Sequence, residues 1–148
     1  MVDRTVTVRH MRPEDAAAVA QLTTQLGYPA TEQETRRRYD LIKDRPDGEL
    51  FVAQLAGSGV IGWIHVQALY MLEADARAEI FGLVVADTAR GTGVGRRLIE
   101  AAEEWATARG LDVMGLRSNQ LRTGARGFYE HLGYKVVKTQ NAFRKNLV

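Results

Sequence analysis

The chain of 148 residues contains no cysteine. This absence excludes disulfide bonds, thiolate metal sites and a cysteine nucleophile, and it is typical of a protein from a reducing compartment. No apolar run approaches the about 20 residues that a membrane helix needs. The charged residues near the start give no indication of a secretion signal. We therefore expect a cytoplasmic protein that does not act in a membrane.

Histidine is also scarce, and the three residues His10, His65 and His131 are spread through the chain. No group of His, Asp and Glu has the spacing of a catalytic metal site, so we expect no metal. The sequence also offers no serine and histidine pair that indicates a covalent acyl-enzyme.

The net charge of +2 is too small to indicate nucleic acid as the main partner. Its distribution is uneven: residues 1–89 carry 9 basic and 13 acidic side chains, a net −4, and residues 90–148 carry 11 and 5, a net +6. This asymmetry fits a protein that binds a cationic substrate through residues 1–89 and a polyanionic ligand through residues 90–148. Taken alone, chance clustering of solvated surface charge is the simpler explanation.

The hydrophobic content of 45% supports a proper core, and the absence of linkers and repeats predicts one domain over residues 1–148. The pattern predicts ten elements in the order β-α-α-β-β-β-α-β-α-β, namely a strand at Thr5–Arg9, helices from Pro13 to Leu26 and from Thr31 to before Pro46, strands at Leu50–Ala56, Val60–Tyr70 and Ala78–Val85, a helix at Val94–Arg109, a strand at Leu111–Arg117, a helix at Leu121–Leu132 and a strand from Tyr134 onward. This order indicates a mixed α/β fold whose mostly antiparallel sheet is flanked by helices and ends in a βαβ crossover.

The most informative stretch lies between a predicted buried strand and an amphipathic helix, and reads Arg90-Gly91-Thr92-Gly93-Val94-Gly95-Arg96. The first N–H groups of a helix lack internal partners and carry partial positive charge. Glycines there allow an anion to approach the backbone closely, so the stretch predicts a phosphate-binding turn. It matches neither a Walker loop nor a Gly-x-Gly-x-x-Gly dinucleotide fingerprint. A glycine-rich turn without a ligand is the alternative.

These residues resemble the Arg/Gln-x-x-Gly-x-Gly/Ala signature of the GNAT superfamily of acyl-CoA-dependent N-acyltransferases. A second resemblance lies downstream, where Gly124-Ala125-Arg126-Gly127-Phe128-Tyr129-Glu130-His131-Leu132-Gly133-Tyr134 is similar to that family's Ala-x-x-Phe-Tyr-Glu-x-Leu-Gly-Phe/Tyr segment. Asn119 stands where the family often has an asparagine. With the element order, the resemblance covers essentially the whole chain.

The resemblance implies acetyl-CoA as acyl donor. Its pantetheine arm is expected along the backbone of Leu83, Val84 and Val85. The pyrophosphate is expected on the turn formed by Arg90, Gly91, Thr92, Gly93, Val94, Gly95 and Arg96. Asn119 is expected to contact the cofactor through its amide, although a simple turn asparagine explains this residue equally well.

The resemblance also implies Tyr129 as the acid that protonates the departing thiolate. A phenol with a pKa of about 10 can give a proton to a thiolate at neutral pH. The alternative is a core aromatic residue. Glu79 is expected as the base, sharing one strand face with Phe81 and Leu83. Ordered water is an alternative base, or Glu79 only binds a cationic substrate; weaker candidates are Glu73, Asp75 and His65.

The predicted reaction is direct attack by a primary amine on the acetyl carbonyl in a ternary complex, with the oxyanion held by a backbone N–H such as that of Val84 or Val85. The acceptor is either a small amine or a protein lysine or N-terminus. The alternative function is a non-catalytic acyl-CoA-binding sensor or assembly module. The resemblance further implies a homodimer. From the small net charge and the lack of a long apolar run, we expect neither nucleic acid nor a membrane as partner.

Overall fold

The computed structural model describes residues 5–118 and 124–148. The chain divides into two compact units, residues 1–117 and 118–148.

The first unit contains a five-stranded sheet and three α-helices. Its elements are β1 (Val6–His10), a 3₁₀ turn (Pro13–Asp15), α1 (Ala16–Gln25), α2 (Glu32–Ile42), β2 (Gly48–Leu55), β3 (Gly59–Leu69), β4 (Arg77–Val85), a second 3₁₀ turn (Asp87–Ala89), α3 (Val94–Ala108) and β5 (Met114–Leu116). The strand order follows the sequence from β1 to β5. The first four strands are antiparallel and β5 is parallel to β4. The predicted mixed, mostly antiparallel sheet is therefore confirmed, and β4-α3-β5 is the predicted crossover.

The start of α2 shows how directly the sequence determines a boundary. Thr31 Oγ1 accepts a hydrogen bond from the Glu34 N–H at 3.0 Å, and Glu34 Oε1 accepts one from the Thr31 N–H at 3.0 Å. This reciprocal pair is a capping box, which satisfies two backbone donors that a helix start leaves open. The predicted cap is confirmed.

Both faces of the sheet are covered. On one face Ile64 and Val66 of β3 are fully buried. Helix α3 packs on this face, because a Cβ at Gly62 would lie 3.0 Å from Cδ1 of the fully buried Leu98. On the other face Trp63 packs against a core cluster formed by Met11, Val19 and Val52.

A β-bulge in β4 changes which side chains share a face. His65 of β3 lies opposite Gly82 while its neighbour Val66 lies opposite Ile80, so Phe81 has no opposing residue. Bulges of this kind break the period-2 alternation of a strand.

The consequence for Glu79 follows from its partner in β3. Glu79 lies opposite Gln67, and Leu83 lies opposite Ile64. Directly opposed residues share a face, whereas Gln67 and Ile64 are three residues apart and lie on opposite faces. The prediction that Glu79, Phe81 and Leu83 share one face is therefore wrong: Glu79 lies on the α1 side of the sheet and Leu83 on the α3 side.

In the second unit, α4 spans Ala125–His131. Its predicted start at Leu121 lies outside the described residues. Gly124 adopts a φ of +86° at the N-cap, so this glycine stands before the helix rather than inside it. Residues 134–148 form neither helix nor strand, and the strand predicted from Tyr134 is absent from this described range. In this range Val137 and Phe143 are 88% and 94% exposed, so these apolar side chains do not pack against another layer. A strand is stabilised by such packing, which explains why the predicted strand does not form.

Candidate functional site

The sheet opens where β4 and β5 part. The two strands pair at Ala78 with Met114, Glu79 with Gly115 and Ile80 with Leu116. Beyond Ile80, β4 runs on to Val85 without a β5 partner among the described residues. A strand edge of this kind offers backbone N–H and C=O groups to an extended ligand. The predicted contact residues Leu83, Val84 and Val85 all lie on this edge.

The glycine-rich turn follows directly after β4. Gly91 and Gly93 have φ values of +78° and +86°, the left-handed region that favours glycine, and a Cβ added at either would enter open space. Gly93 is the N-cap of α3, which begins at Val94 and continues for 15 residues. The first N–H groups of α3 therefore follow an accessible turn in which two positions carry no side chain, as suits an anion site.

The side chains around this turn are mostly held by local partners. Thr92 Oγ1 donates a hydrogen bond to the Ala89 carbonyl. Arg90 pairs with Asp87 at 3.0 Å, and Arg96 pairs with Glu100 at 3.4 Å. Both arginines remain largely exposed, with 59% of each side chain accessible, so they can still meet an anion at the turn.

Glu79 is the most unusual carboxylate in the first unit because it is 5% exposed. Its Oε2 lies 3.3 Å from Arg77 Nη2, and its Oε1 lies 3.4 Å from Arg117 Nε. The three residues form a cluster that links β4 to the chain just after β5. Both oxygens of Glu79 are thus engaged by guanidinium groups.

His65 lies on the same sheet face as Gln67 and Glu79. Burial lowers the pKa of His65 below its usual value, and a hydrogen bond with the Gln67 side chain acts in the opposite direction. Its Nε2 is buried and has no hydrogen-bond partner within the part of the chain that the structure describes. Its ring meets the edge of Phe81 at a centroid distance of 5.2 Å. From the sequence, His65 is only a weaker candidate for the base. The bulge that brings Phe81 beside it leaves no pattern in the sequence.

Tyr129 lies in α4 of the second unit and is half-buried. Its ring makes edge-to-face contacts with Phe128 at 5.1 Å and Tyr134 at 6.1 Å. The predicted contact Asn119 lies outside the described residues. Glu73 and Asp75 are exposed between β3 and β4.

Metal binding and membrane insertion each require features that can be looked for in residues 5–118 and 124–148. Within these ranges no three His, Asp or Glu side chains are grouped so that they can hold a metal ion. No helix there combines the length and the apolar character needed to cross a bilayer.

Solved structures define the class of fold. An aminoglycoside N-acetyltransferase, AAC(6')-Iy, solved in complex with CoA, superimposes with a TM-score of 0.84 at 20% identity, covering 96% of this chain and 95% of the other. Glucosamine-6-phosphate N-acetyltransferase from Arabidopsis thaliana gives a TM-score of 0.80 at 19% identity, covering 96% and 99%. A transcriptional regulator from Bacillus halodurans C-125 gives 0.83 at 25% identity, covering 95% and 100%. The fold is that of the N-acetyltransferases.

The sequence comparisons then show the family. The family model described as "Acetyltransferase (GNAT) family" matches residues 17–134. An uncharacterized N-acetyltransferase from Chlorobaculum tepidum is 31% identical over 134 residues, which cover 90% of this chain and 77% of that protein. The chain belongs to the GNAT acetyltransferase family, and the resemblance found in the sequence is confirmed.

Proposed function

We propose that this protein transfers an acetyl group from acetyl-CoA to a primary amine by direct attack in a ternary complex. The observation that carries the proposal is the edge of β4 beyond Ile80, which has no strand partner in residues 5–118 and 124–148 and is followed at once by the glycine turn and the start of α3. The open edge fits the amide-bearing pantetheine arm, and the turn fits the pyrophosphate.

The residues fit acyl-CoA at two points. Gly91 and Gly93 leave two positions of the turn without a side chain, and both adopt the positive φ values that the turn requires. The free edge supplies N–H groups at Val84 or Val85 that can stabilise the oxyanion formed on attack. Arg90 and Arg96 supply exposed positive charge beside the turn.

Tyr129 is the proposed acid. Its phenol stays protonated at neutral pH and gives that proton to the departing CoA thiolate. The neighbouring Tyr134 contacts Tyr129 in the same unit and offers a matched control for removal of one hydroxyl.

Glu79 remains a proposed residue of the acceptor side. Each carboxylate oxygen keeps a lone pair beside its ion pair with Arg77 or Arg117, so Glu79 can accept a proton or hold a cationic acceptor. Replacement by Gln tests this role: a base gives a large loss of kcat, whereas a carboxylate that only organises the cluster gives a modest one.

The acceptor is either a small amine or a protein lysine or N-terminus, and the excess of acidic residues over positions 1–89 favours a cationic acceptor. The experiment incubates the protein with acetyl-CoA and each member of an amine and peptide panel, and detects acetylated product by mass spectrometry. Calorimetry measures CoA binding in parallel. Product formation supports the proposal. Tight CoA binding without any product favours an acyl-CoA-binding module.

A further inference from the structure

The acceptor amine must lose a proton before it attacks, because an alkylammonium with a pKa of about 10.4 has no free electron pair. Both carboxylate oxygens of Glu79 lie within ion-pair distance of a guanidinium group, that of Arg77 or that of Arg117. The same sheet face carries a second group that can accept a proton, His65.

Three buried side-chain nitrogens lack a hydrogen-bond partner among the described residues, namely Trp63 Nε1, His65 Nε2 and Trp105 Nε1. The two indole nitrogens are donors only, so neither can accept a proton. Of the three, only His65 Nε2 is an atom that can serve as a base.

The neighbours of His65 determine which nitrogen is free to accept. Gln67 Nε2 donates to the Asp47 carbonyl at 3.0 Å, which leaves the Gln67 carbonyl oxygen as the acceptor that faces its neighbours. His65 is hydrogen-bonded to that side chain. Nε2 has no partner among the described residues, so the tautomer in which Nδ1 carries the proton toward Gln67 leaves the lone pair on Nε2. A base oriented by a second residue in this way is a recurrent catalytic arrangement.

We propose that His65 is the general base that takes the proton from the acceptor ammonium. This inference rests on the proposed function. In the step, the ammonium gives one proton to His65 Nε2 and the freed amine forms a bond to the thioester carbonyl carbon. The carbon–sulfur bond then breaks, and the nitrogen releases its second proton to solvent, which leaves the neutral amide. The thiolate takes the proton of Tyr129, and solvent then restores both side chains.

The position of His65 supports this role. It lies opposite Gly82, within the part of β4 whose outer edge is free of β5. Phe81, the bulge residue, makes an edge-to-face contact with the imidazole at a centroid distance of 5.2 Å and is itself 54% exposed.

The charged and titratable groups around His65 are few. On β4 they are Glu79 and Arg77, which pair with each other. From α2, Tyr39 packs against the cluster of Met11, Val19 and Val52 and donates a hydrogen bond to the Met11 carbonyl at 3.3 Å. The buried residues of α1 are Ala16, Val19, Ala20 and Leu22, which do not titrate. Burial is therefore the main influence on the charge of His65, and it keeps the ring neutral and able to accept a proton at pH 7.

The test compares His65→Gln with His10→Gln, a control at a histidine whose side chain is 70% exposed, and with Glu79→Gln. Steady-state rates are measured from pH 5 to 9 with an amine that the wild type acetylates, and calorimetry measures the Kd for CoA. We expect His65→Gln to lose about 10²- to 10⁴-fold in kcat and to lose the fall in rate toward acid pH, with an unchanged Kd for CoA. His10→Gln should match the wild type.

The proposal is overturned if His65→Gln keeps kcat within threefold with the same acid limb, or if only Glu79→Gln abolishes that limb. If His65→Gln does not fold, NMR titration of the wild-type His65 imidazole replaces it, and a midpoint more than one pH unit from the acid limb overturns the proposal. A wild type that acetylates no amine rejects the proposed function itself, which is a different outcome from an active wild type with a dispensable His65.

Discussion

Two glycines show at the residue scale how a small local requirement produces a binding site. Gly91 and Gly93 hold φ values that L-residues rarely adopt, and both stand in open space, so packing does not explain them. The turn they form places the start of α3 beside the free edge of β4. Its shape carries a cost in backbone entropy, and it leaves the backbone open to the anion that we propose to bind there.

Gly93→Ala should weaken CoA binding by about tenfold or more, because a Cβ and a strained φ intrude where the pyrophosphate is expected. Gly57→Ala is the matched control, since Gly57 has a φ of +80° and also faces open space. Both variants should lose a similar free energy of unfolding, about 1–2 kcal/mol. Calorimetry with CoA separates the two variants. Equal Kd values for both contradict the proposal that the glycine-rich turn binds the pyrophosphate.

Asp15 provides a second prediction at this scale. Its carboxylate accepts hydrogen bonds from Arg9 Nη1 at 2.8 Å and Nη2 at 2.9 Å, and from the Arg12 N–H at 2.8 Å. Burial alone would raise the pKa of Asp15, but these bonds outweigh it and hold the pKa below its usual value. The stabilisation is therefore complete above about pH 4 and is lost as the pH falls through the folded-state pKa.

Asp15→Asn should cost about 1–3 kcal/mol at pH 7, the value typical of hydrogen bonds to charged groups. Urea unfolding of both proteins at pH 7, 5 and 3 checks this, and the difference between them should shrink at pH 3. A difference that is the same at all three pH values contradicts the assignment.

At the scale of elements, α3 is the part of the fold that the site depends on most. Its N-terminus follows the glycine turn, and Leu98 and Ile99 are 0% and 1% exposed against the sheet. Gly62 of β3 allows this close approach, since a Cβ there would lie 3.0 Å from both Leu98 Cδ1 and the Val84 carbonyl oxygen. The helix and the free edge of β4 are thus fixed to each other by packing at Gly62.

Leu98→Ala should lower the free energy of unfolding by about 2–5 kcal/mol, because it leaves a cavity in the core. Thr107→Ala, on the exposed side of the same helix, should change it by less than about 0.5 kcal/mol. Chemical denaturation monitored by circular dichroism measures both. A small effect at Leu98 contradicts the packing described for α3.

Most elements could be predicted because their signals are local. The capping box at Thr31 and the apolar period of α3 both depend on neighbours in sequence, and both are confirmed. The face of Glu79 could not be predicted, since the bulge at Phe81 arises from pairing between β3 and β4. The ion pairs of Glu79, and the lack of a partner for His65 Nε2 among the described residues, depend on the same pairing and leave no distinct pattern in the sequence.

At the scale of the whole molecule, buried titratable groups link the proposed chemistry to stability. Because burial lowers the pKa of His65, the unfolded chain binds more protons than the folded protein below about pH 6.5. Stability should therefore fall as the pH decreases from about 6.5 toward the folded-state pKa of His65, and should not depend on this residue above that range.

His65→Gln should remove this component of the pH dependence, and His10→Gln should not. Urea midpoints at pH 7.5 and pH 5.5 for the wild type and both variants provide the measurement. If the His65 variant shows the same change between the two pH values as the wild type, His65 is not a buried neutral histidine.

Acetyl-CoA-dependent turnover of an amine tests the central claim most directly, measured as thiol release across the amine panel for the wild type, Tyr129→Phe and the control Tyr134→Phe. The account predicts that at least one amine is acetylated, that Tyr129→Phe slows kcat by about 10²-fold or more, and that Tyr134→Phe has little effect. CoA binding without turnover of any amine contradicts the catalytic claim, and absence of CoA binding contradicts the site itself.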